Sequence, residues 1–309
     1  MALLAYALGF LAAVANAGAN VLQRAANRGE SSDLEFSLQL IARLVRKPVW
    51  LAGIGMMTSS FLLQAAGLGF GTLAAVEPLL VLELPLTLVA AAIWLDGSLG
   101  RREWLAVAGM TGGTIGLIAF LGPTGGRSQI AAPVWAAAIV ATAALTLAVF
   151  LVAHRHRDPG RRATLLGICT GTADGLAASL MKGMTQGFSH GGVTGVLTAW
   201  QLYGAIAAGV TAVWLRQNAD NAGRLAAAQP GMTLADPYVS IIWGATVFQE
   251  SFRGGFWIVL AILAGLVMSI SAVTLARSPD LQGQRATQEE GQRASGDGDG
   301  DDDTLGSTA

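Results

Sequence analysis

Runs of about twenty mostly apolar residues, the length a helix needs to cross a bilayer, recur from one end of the chain to the other. They lie at 2–23, 49–70, 72–95, 103–121, 133–153, 164–185, 194–215, 225–248 and 256–276. The third holds Pro78 and Pro85. The eighth is the most polar, with Gln229, Pro230, Asp236 and Pro237. The connections are mostly short, so neighbouring helices must run antiparallel. Only 13% of the residues are charged, against about 25% in soluble domains. The 40 glycines suit helices that approach closely in lipid. The expectation is an all-α integral membrane protein of about nine transmembrane helices. The first run has no basic residues before it and is long for a signal peptide, so it reads as a retained span. Cys169 lies in an apolar run, permits no disulfide framework and reads as a small core residue.

Basic residues orient the helices. One side carries Arg24, Arg28, Arg43, Arg46 and Lys47, then Arg101 and Arg102, then Arg155, Arg157, Arg161 and Arg162, then Arg216 and Arg224. The tail adds Arg277, Arg285 and Arg293 to that side, and the other side has Arg127 and Arg253. The basic side is expected to be cytoplasmic in a plasma (inner) membrane, with the C-terminal tail inside and the N-terminus outside. Residues 34–45, LEFSLQLIARLV, have apolar residues at helical spacing. They form either an amphipathic surface helix or a tenth span, which would put the N-terminus inside and leave every later span as it was.

Residues 278–309 hold eight acids and two arginines, leaving the body of the chain net basic. This tail is expected to be disordered and cytoplasmic. Its DGDGDDD stretch (297–303) is no calcium loop, since Asp302 stands where that loop needs glycine and Thr308 where it needs glutamate. No block resembles a nucleic-acid patch. No nucleotide, nucleophile-elbow, zinc-protease or paired-cysteine motif occurs, so neither an enzyme nor a cofactor is expected. The expected partners are the lipid bilayer and a small solute, and a homodimer is compatible with the sequence.

The two halves repeat. Shifted by 152 residues, GTLAAVEPLLVLELP (71–85) falls on GRLAAAQPGMTLADP (223–237) with seven of fifteen positions identical, both prolines among them. Other shifts bring Trp104, Ala108 and Gly112 onto Trp257, Ala261 and Gly265, and Gly9, Asn16 and Arg24 onto Gly167, Asp174 and Lys182. The domains are then 1–121, a first repeat of four spans; 122–163, a linking span and cytoplasmic loop; 164–277, a second repeat; and 278–309, the tail. An offset of five spans inverts the second repeat. Inverted repeats with proline-interrupted helices at matching places suggest a secondary transporter.

These features resemble the drug/metabolite transporter (DMT) superfamily and, within it, the NIPA-type, EamA-like magnesium transporters. RKPVWLAGIGMMTSSFLLQAAGLGFGTLAAVEPLL is similar to that group's second and third spans. NAGANVLQRAANRG resembles its first span, and TADGLAASLMKGM its sixth, including the lysine at Lys182. The chain departs from the group at MMTSS (56–60), where an acid and an asparagine are usual, and at Glu77, where the group has an uncharged residue. The resemblance implies a carrier with magnesium as first substrate. Export of metabolites, amino acids or organic cations is the alternative, and a non-transporting membrane scaffold the alternative of another class.

Ionisable groups inside a span cost roughly 2.5–3.5 kcal/mol each at the centre, so they face an interior or a water-filled path. The candidates are Glu77 and Glu83 in the third run, Asp174 and Lys182 in the sixth, and Asp236 in the eighth. Their excess of negative charge favours a cation, although structural pairing with Lys182 is the plainer reading. Glu77 precedes Pro78, whose missing N–H frees a backbone carbonyl, which suits cation coordination; Glu77 and Asp174 are the expected metal ligands. Gln229 takes the matching place before Pro230, with Asp236 seven residues on and on the same helix face. Glu83 lies roughly 120° around the helix from Glu77, so the two share a ligand only if the prolines unwind the segment. Asn16 and Asn20 form an i, i+4 pair, and Asn16 is expected to face Asp174 across the repeat axis; ordinary interhelical hydrogen bonding is the competing reading. The substrate site is therefore expected between the first, third, sixth and eighth spans.

Gly167, Gly171 and Gly175, and likewise Gly109, Gly112, Gly113 and Gly116, read as packing faces. Trp50, Trp94, Trp104, Trp135, Trp214 and Trp257 read as interfacial anchors. His154 and His156 read as loop charge, and His190 as an external loop residue.

Overall fold

The structure is a computed structural model that describes residues 1–27, 47–94, 99–222 and 225–276. The segment 34–45, the tail 278–309 and the 223–224 connection lie outside the described residues. The described chain is helical almost throughout: α1 (Ala2–Asn27), α2 (Pro48–Phe70), α3 (Leu73–Leu80), α4 (Glu83–Trp94), α5 (Arg101–Leu121), α6 (Ala132–Arg155), α7 (Pro159–Thr198), α8 (Trp200–Ala222), α9 (Leu225–Thr246) and α10 (Phe256–Ala276). Two short strands, β1 (Thr124–Gly125) and β2 (Glu250–Ser251), pair antiparallel and tie the connection after α5 to the one after α9.

Among the described residues, seven segments are long and apolar enough to cross a membrane, with α3 and α4 together making one of them. The count is eight if the bent pair Gly191–Thr198 and Trp200–Ala222, at 56°, is taken as one span. Their outer faces carry large apolar side chains in the open, such as Phe61, Leu62, Val140, Ile262 and Leu266. That is the pattern of helices surrounded by lipid. The protein is an all-α membrane-spanning protein. Polarity keeps α9 from the same composition: it has span length, but Gln229, Asp236, Pro230 and Pro237 lie within it.

Helix ends follow local chemistry. Pro48 and Pro159 open α2 and α7, where a missing N–H costs nothing, and the Asp158 side chain accepts from the Arg161 N–H at 2.8 Å. Gly122 closes α5 at φ 51°, a left-handed conformation that glycine adopts freely. Sequence placed the seventh span at 194–215 and His190 in a loop. Instead the α7 backbone is helical through residue 190, breaks at Gly192 (φ 58°, ψ −141°), and α8 begins at Trp200.

The glycine spacings pack as expected except at Gly112, which the sequence placed on a packing face. Added methyl groups at Gly167, Gly171 and Gly175 would meet Ala228, Met232 and Asp236 of α9 within 2.3–3.0 Å, so α7 and α9 lie side by side and parallel. At Gly113 one would strike the Met268 and Ala264 backbone of α10, whereas Gly112 faces open space. α1 packs on α2 and on α3 and α4, α7 on α8 and α9, α5 on α10, α3 on α9, and the C-terminal end of α2 on α7. α6 is peripheral, burying only Trp135 and Ala153. Trp135 is a correction: it is 5% exposed and meets Trp200, Trp243 and Phe248 ring to ring, so it fills the core instead of anchoring at an interface. Trp94, Trp104, Trp214 and Trp257 are exposed. Cys169 is buried.

Candidate functional site

The third span is broken by its own prolines. A proline cannot donate to the carbonyl four residues earlier, so Pro85 leaves the Val81 carbonyl without its helical donor. Around that point the backbone shifts to tighter turns: Val81 N–H donates to Pro78 O, Leu82 to Leu79, and Leu84 to Val81. α3 ends at Leu80 and α4 starts at Glu83. The break separates the two glutamates by environment.

Glu83 lines a cavity of about 320 Å³ at the end of the bundle that bears the basic connections. Asn20 of α1, Asp174 of α7, Arg216 and Asp220 of α8, and Gln229, Thr233 and Asp236 of α9 line it too. Asn16 and Asn20 both donate to the Glu83 carboxylate, the latter at 2.6 Å. Asn16 therefore meets Glu83, not Asp174 as expected. Arg216 donates to Asp174 at 3.2 Å. Ser240 donates to Asp236 at 3.3 Å, and Gln229 reaches the Thr233 hydroxyl at 3.4 Å. The Thr87 hydroxyl, on the same wall and 4% exposed as a residue, has no hydrogen-bond partner among the described residues. Leu80, Val81, Leu84 and Met232 supply apolar wall.

Glu77 is fully buried and does not line this cavity. Its hydrogen-bond partner is the Gln64 amide of α2, which donates to both carboxylate oxygens at 3.0 and 3.3 Å. Asp174, Lys182 and Asp236 act on it electrostatically. The expected metal pair of Glu77 and Asp174 is thus divided between a sealed interior and a cavity wall. Among the described residues no three His, Cys, Asp or Glu side chains converge as a metal ion would require.

Lys182 belongs to the opposite end. Its ammonium donates to the Gly71 carbonyl at 2.6 Å, pairs with Glu250 at 3.2 Å and lies over the Phe248 ring. Glu250 also accepts from the N–H groups of Leu73 and Ala74 at 2.6 and 3.1 Å. A carboxylate from the α9–α10 connection thereby caps α3, where the helix dipole favours negative charge. Lys182 lines a second cavity of about 380 Å³ with Tyr6, Thr72, Arg127 and Thr185. Along α3, Ala75 lines this cavity and Leu80 the acidic one. Glu77 stands between them.

Sequence reasoning brought together Asn20, Glu83, Asp174, Gln229 and Asp236. It missed Gln64, Thr87, Asp220 and Glu250, and it counted Arg216 as a cytoplasmic loop charge. The spacing of Arg216 and Asp220, one turn apart, was the available signal that the seventh span continues as helix. Nothing local marks Glu250, whose partners are about 70 and 180 residues distant.

The chain is a helical membrane-spanning protein with an acidic cavity between its helices. The uncharacterized protein Cgl0250/cg0304 of Corynebacterium glutamicum is 32% identical over 236 residues, covering 76% of this chain and 81% of that protein. The chain belongs to that protein's family. No family model matches the chain. No solved structure matches it.

Proposed function

We propose that the protein is a secondary transporter of the drug/metabolite type that moves a small cationic solute across the inner membrane by alternating access, and that the described form faces the cytoplasm. The observation that carries this reading is the acidic cavity. Among the described residues, Glu83, Asp174 and Asp236 line it with Asp220 and the basic Arg216, inside helices that lie in lipid. Intramembrane charge of that kind is costly and marks a pathway. Its volume of about 320 Å³ is at the lower end of small-molecule sites.

Helix packing supports two inverted repeats, with α9 as a ninth span. α1 on α2 has its counterpart in α7 on α8, α1 on α3 and α4 in α7 on α9, and α5 on α3 and α4 in α10 on α9. Two pairs, α2 on α7 and α3 on α7, lack their counterparts. α2 packs on α7 at the end near Gly69 and Thr185, but α8 and α9 do not pack likewise on α1; Asn20 of α1 and Arg216 and Asp220 of α8 line the cavity instead. Two repeats that are closed at one end and parted at the other are what alternating access requires. The basic connections put the open end in the cytoplasm.

Proteoliposomes give the test. Magnesium, carried into vesicles loaded with a magnesium-sensitive dye, is the first solute, followed by amines and amino acids. Flux of at least one of these is expected, with Glu83→Gln and Asp236→Asn reducing it at least about tenfold, the equivalent of roughly 1.4 kcal/mol. Full activity of both variants, or no flux of any solute by folded protein, would overturn the reading.

A further inference from the structure

We propose that Asp236 is the ion-pairing residue of the acidic cavity and that its ligand is a primary organic ammonium rather than a divalent metal. The inference rests on the cavity being a binding site, as the transport reading requires.

Hydrogen-bond accounting singles out Asp236. Glu83 already takes two amide donors from Asn16 and Asn20, and Asp174 takes the Arg216 guanidinium. Among the described residues, Asp236, which lines the cavity, takes one long bond, 3.3 Å from Ser240 to Oδ1. A carboxylate withdrawn from bulk water and so poorly partnered is costly unless a ligand supplies donors. Glu77 and Asp174 add to the negative potential there, while Arg216 opposes it but is committed to Asp174.

The surroundings select the kind of cation. Magnesium demands near-octahedral oxygen ligation and calcium six to eight oxygens, usually with several carboxylates; the described residues contain no cluster of three His, Cys, Asp or Glu side chains. An ammonium needs fewer acceptors, directed along its N–H bonds. Asp236 offers one acceptor. The unpartnered Thr87 hydroxyl, buried just behind the cavity wall in the described form, offers a second once a ligand displaces its neighbours. The carbonyl of Thr233, deprived by Pro237 of its helical donor, is a third on a residue of the same wall. Leu80, Val81, Leu84 and Met232 then face whatever body the ammonium carries. A hydrated metal ion gains nothing from that apolar surface, whereas an alkyl chain does.

The experiment is equilibrium binding to protein in nanodiscs, read as the shift in thermal unfolding midpoint with ligand concentration. The probes are methylammonium, propylammonium and n-butylammonium chloride, with magnesium chloride at equal ionic strength. Butylammonium is expected to raise the midpoint most and magnesium not at all. Asp236→Asn, close to isosteric, should abolish the shift. Leu84→Ala leaves the charge in place and should retain methylammonium binding while flattening the gain with chain length. A magnesium shift without an ammonium shift, or an unchanged butylammonium shift in Asp236→Asn, would overturn the proposal. Binding is independent of flux. Butylammonium that binds through Asp236 but never crosses the vesicle wall defeats the transport reading alone. Magnesium flux with no ammonium binding defeats this inference alone.

Discussion

At the residue scale, the Lys182–Glu250 pair ties α7 to the α9–α10 connection and, through Glu250, to the start of α3. The side chains are 10% and 0% exposed, so water screens the pair little, and Glu250 holds two helix N–H groups as well. Removing one partner of such a pair strands the other. Glu250→Gln should destabilise the protein by about 3 kcal/mol. Adding Lys182→Met should recover part of that loss, because the stranded cation is gone. Denaturant unfolding of the single and double variants in micelles measures both. An additive double variant would mean that the two charges do not interact. Asn16 and Asn20 raise a parallel point, since their i, i+4 spacing was visible in sequence but the Glu83 carboxylate that both hold was not assignable to them without the fold.

At the element scale, the contact between α7 and α9 positions the cavity acids. Gly171 meets the Met232 carbonyl, Ala235 and the Asp236 N–H, all within 3.0 Å of an added methyl group. Gly171→Ala must push the helices apart and should cost about 1–3 kcal/mol, as overpacking does. It should also weaken solute binding, since it displaces Asp236 relative to Asp174. Gly112→Ala, on the open face of α5, should be neutral or stabilising by up to about 1 kcal/mol, the helix propensity difference. Thermal midpoints of the two variants give the comparison; equal effects would contradict the packing argument. The third span makes a related lesson. Its prolines were legible and so was the chance of unwinding. Only the turn at Val81–Leu82 assigns Glu83 to the cavity and Glu77 to the interior.

At the scale of the whole molecule, two cavities reach toward the middle from opposite ends and do not share a lining residue. With Cys169 replaced by alanine, Thr233→Cys should react with an impermeant maleimide from the face bearing the basic connections, and Thr185→Cys from the other face. Saturating ligand that favours the opposite conformer should slow the first reaction and speed the second. Labelling of both cysteines from one face would indicate a continuous pore and would contradict alternating access. Vesicles of known orientation make the assay decisive.

By itself the sequence determined the helical class, the run lengths, the glycine faces and most of the polar side chains that line the acidic cavity. These are local properties: apolar length, residue size and the cost of charge in lipid act on each segment before it meets another. Tertiary structure decided which of those polar groups meet. Glu250 reaches Lys182 and the end of α3, Arg216 turns to Asp174, Trp135 enters the core, and Glu77 is sealed behind Gln64 while Glu83 opens to the cavity. Each outcome depends on how helices far apart in the chain cross. That is set by the sum of many small packing contacts, which no single segment encodes.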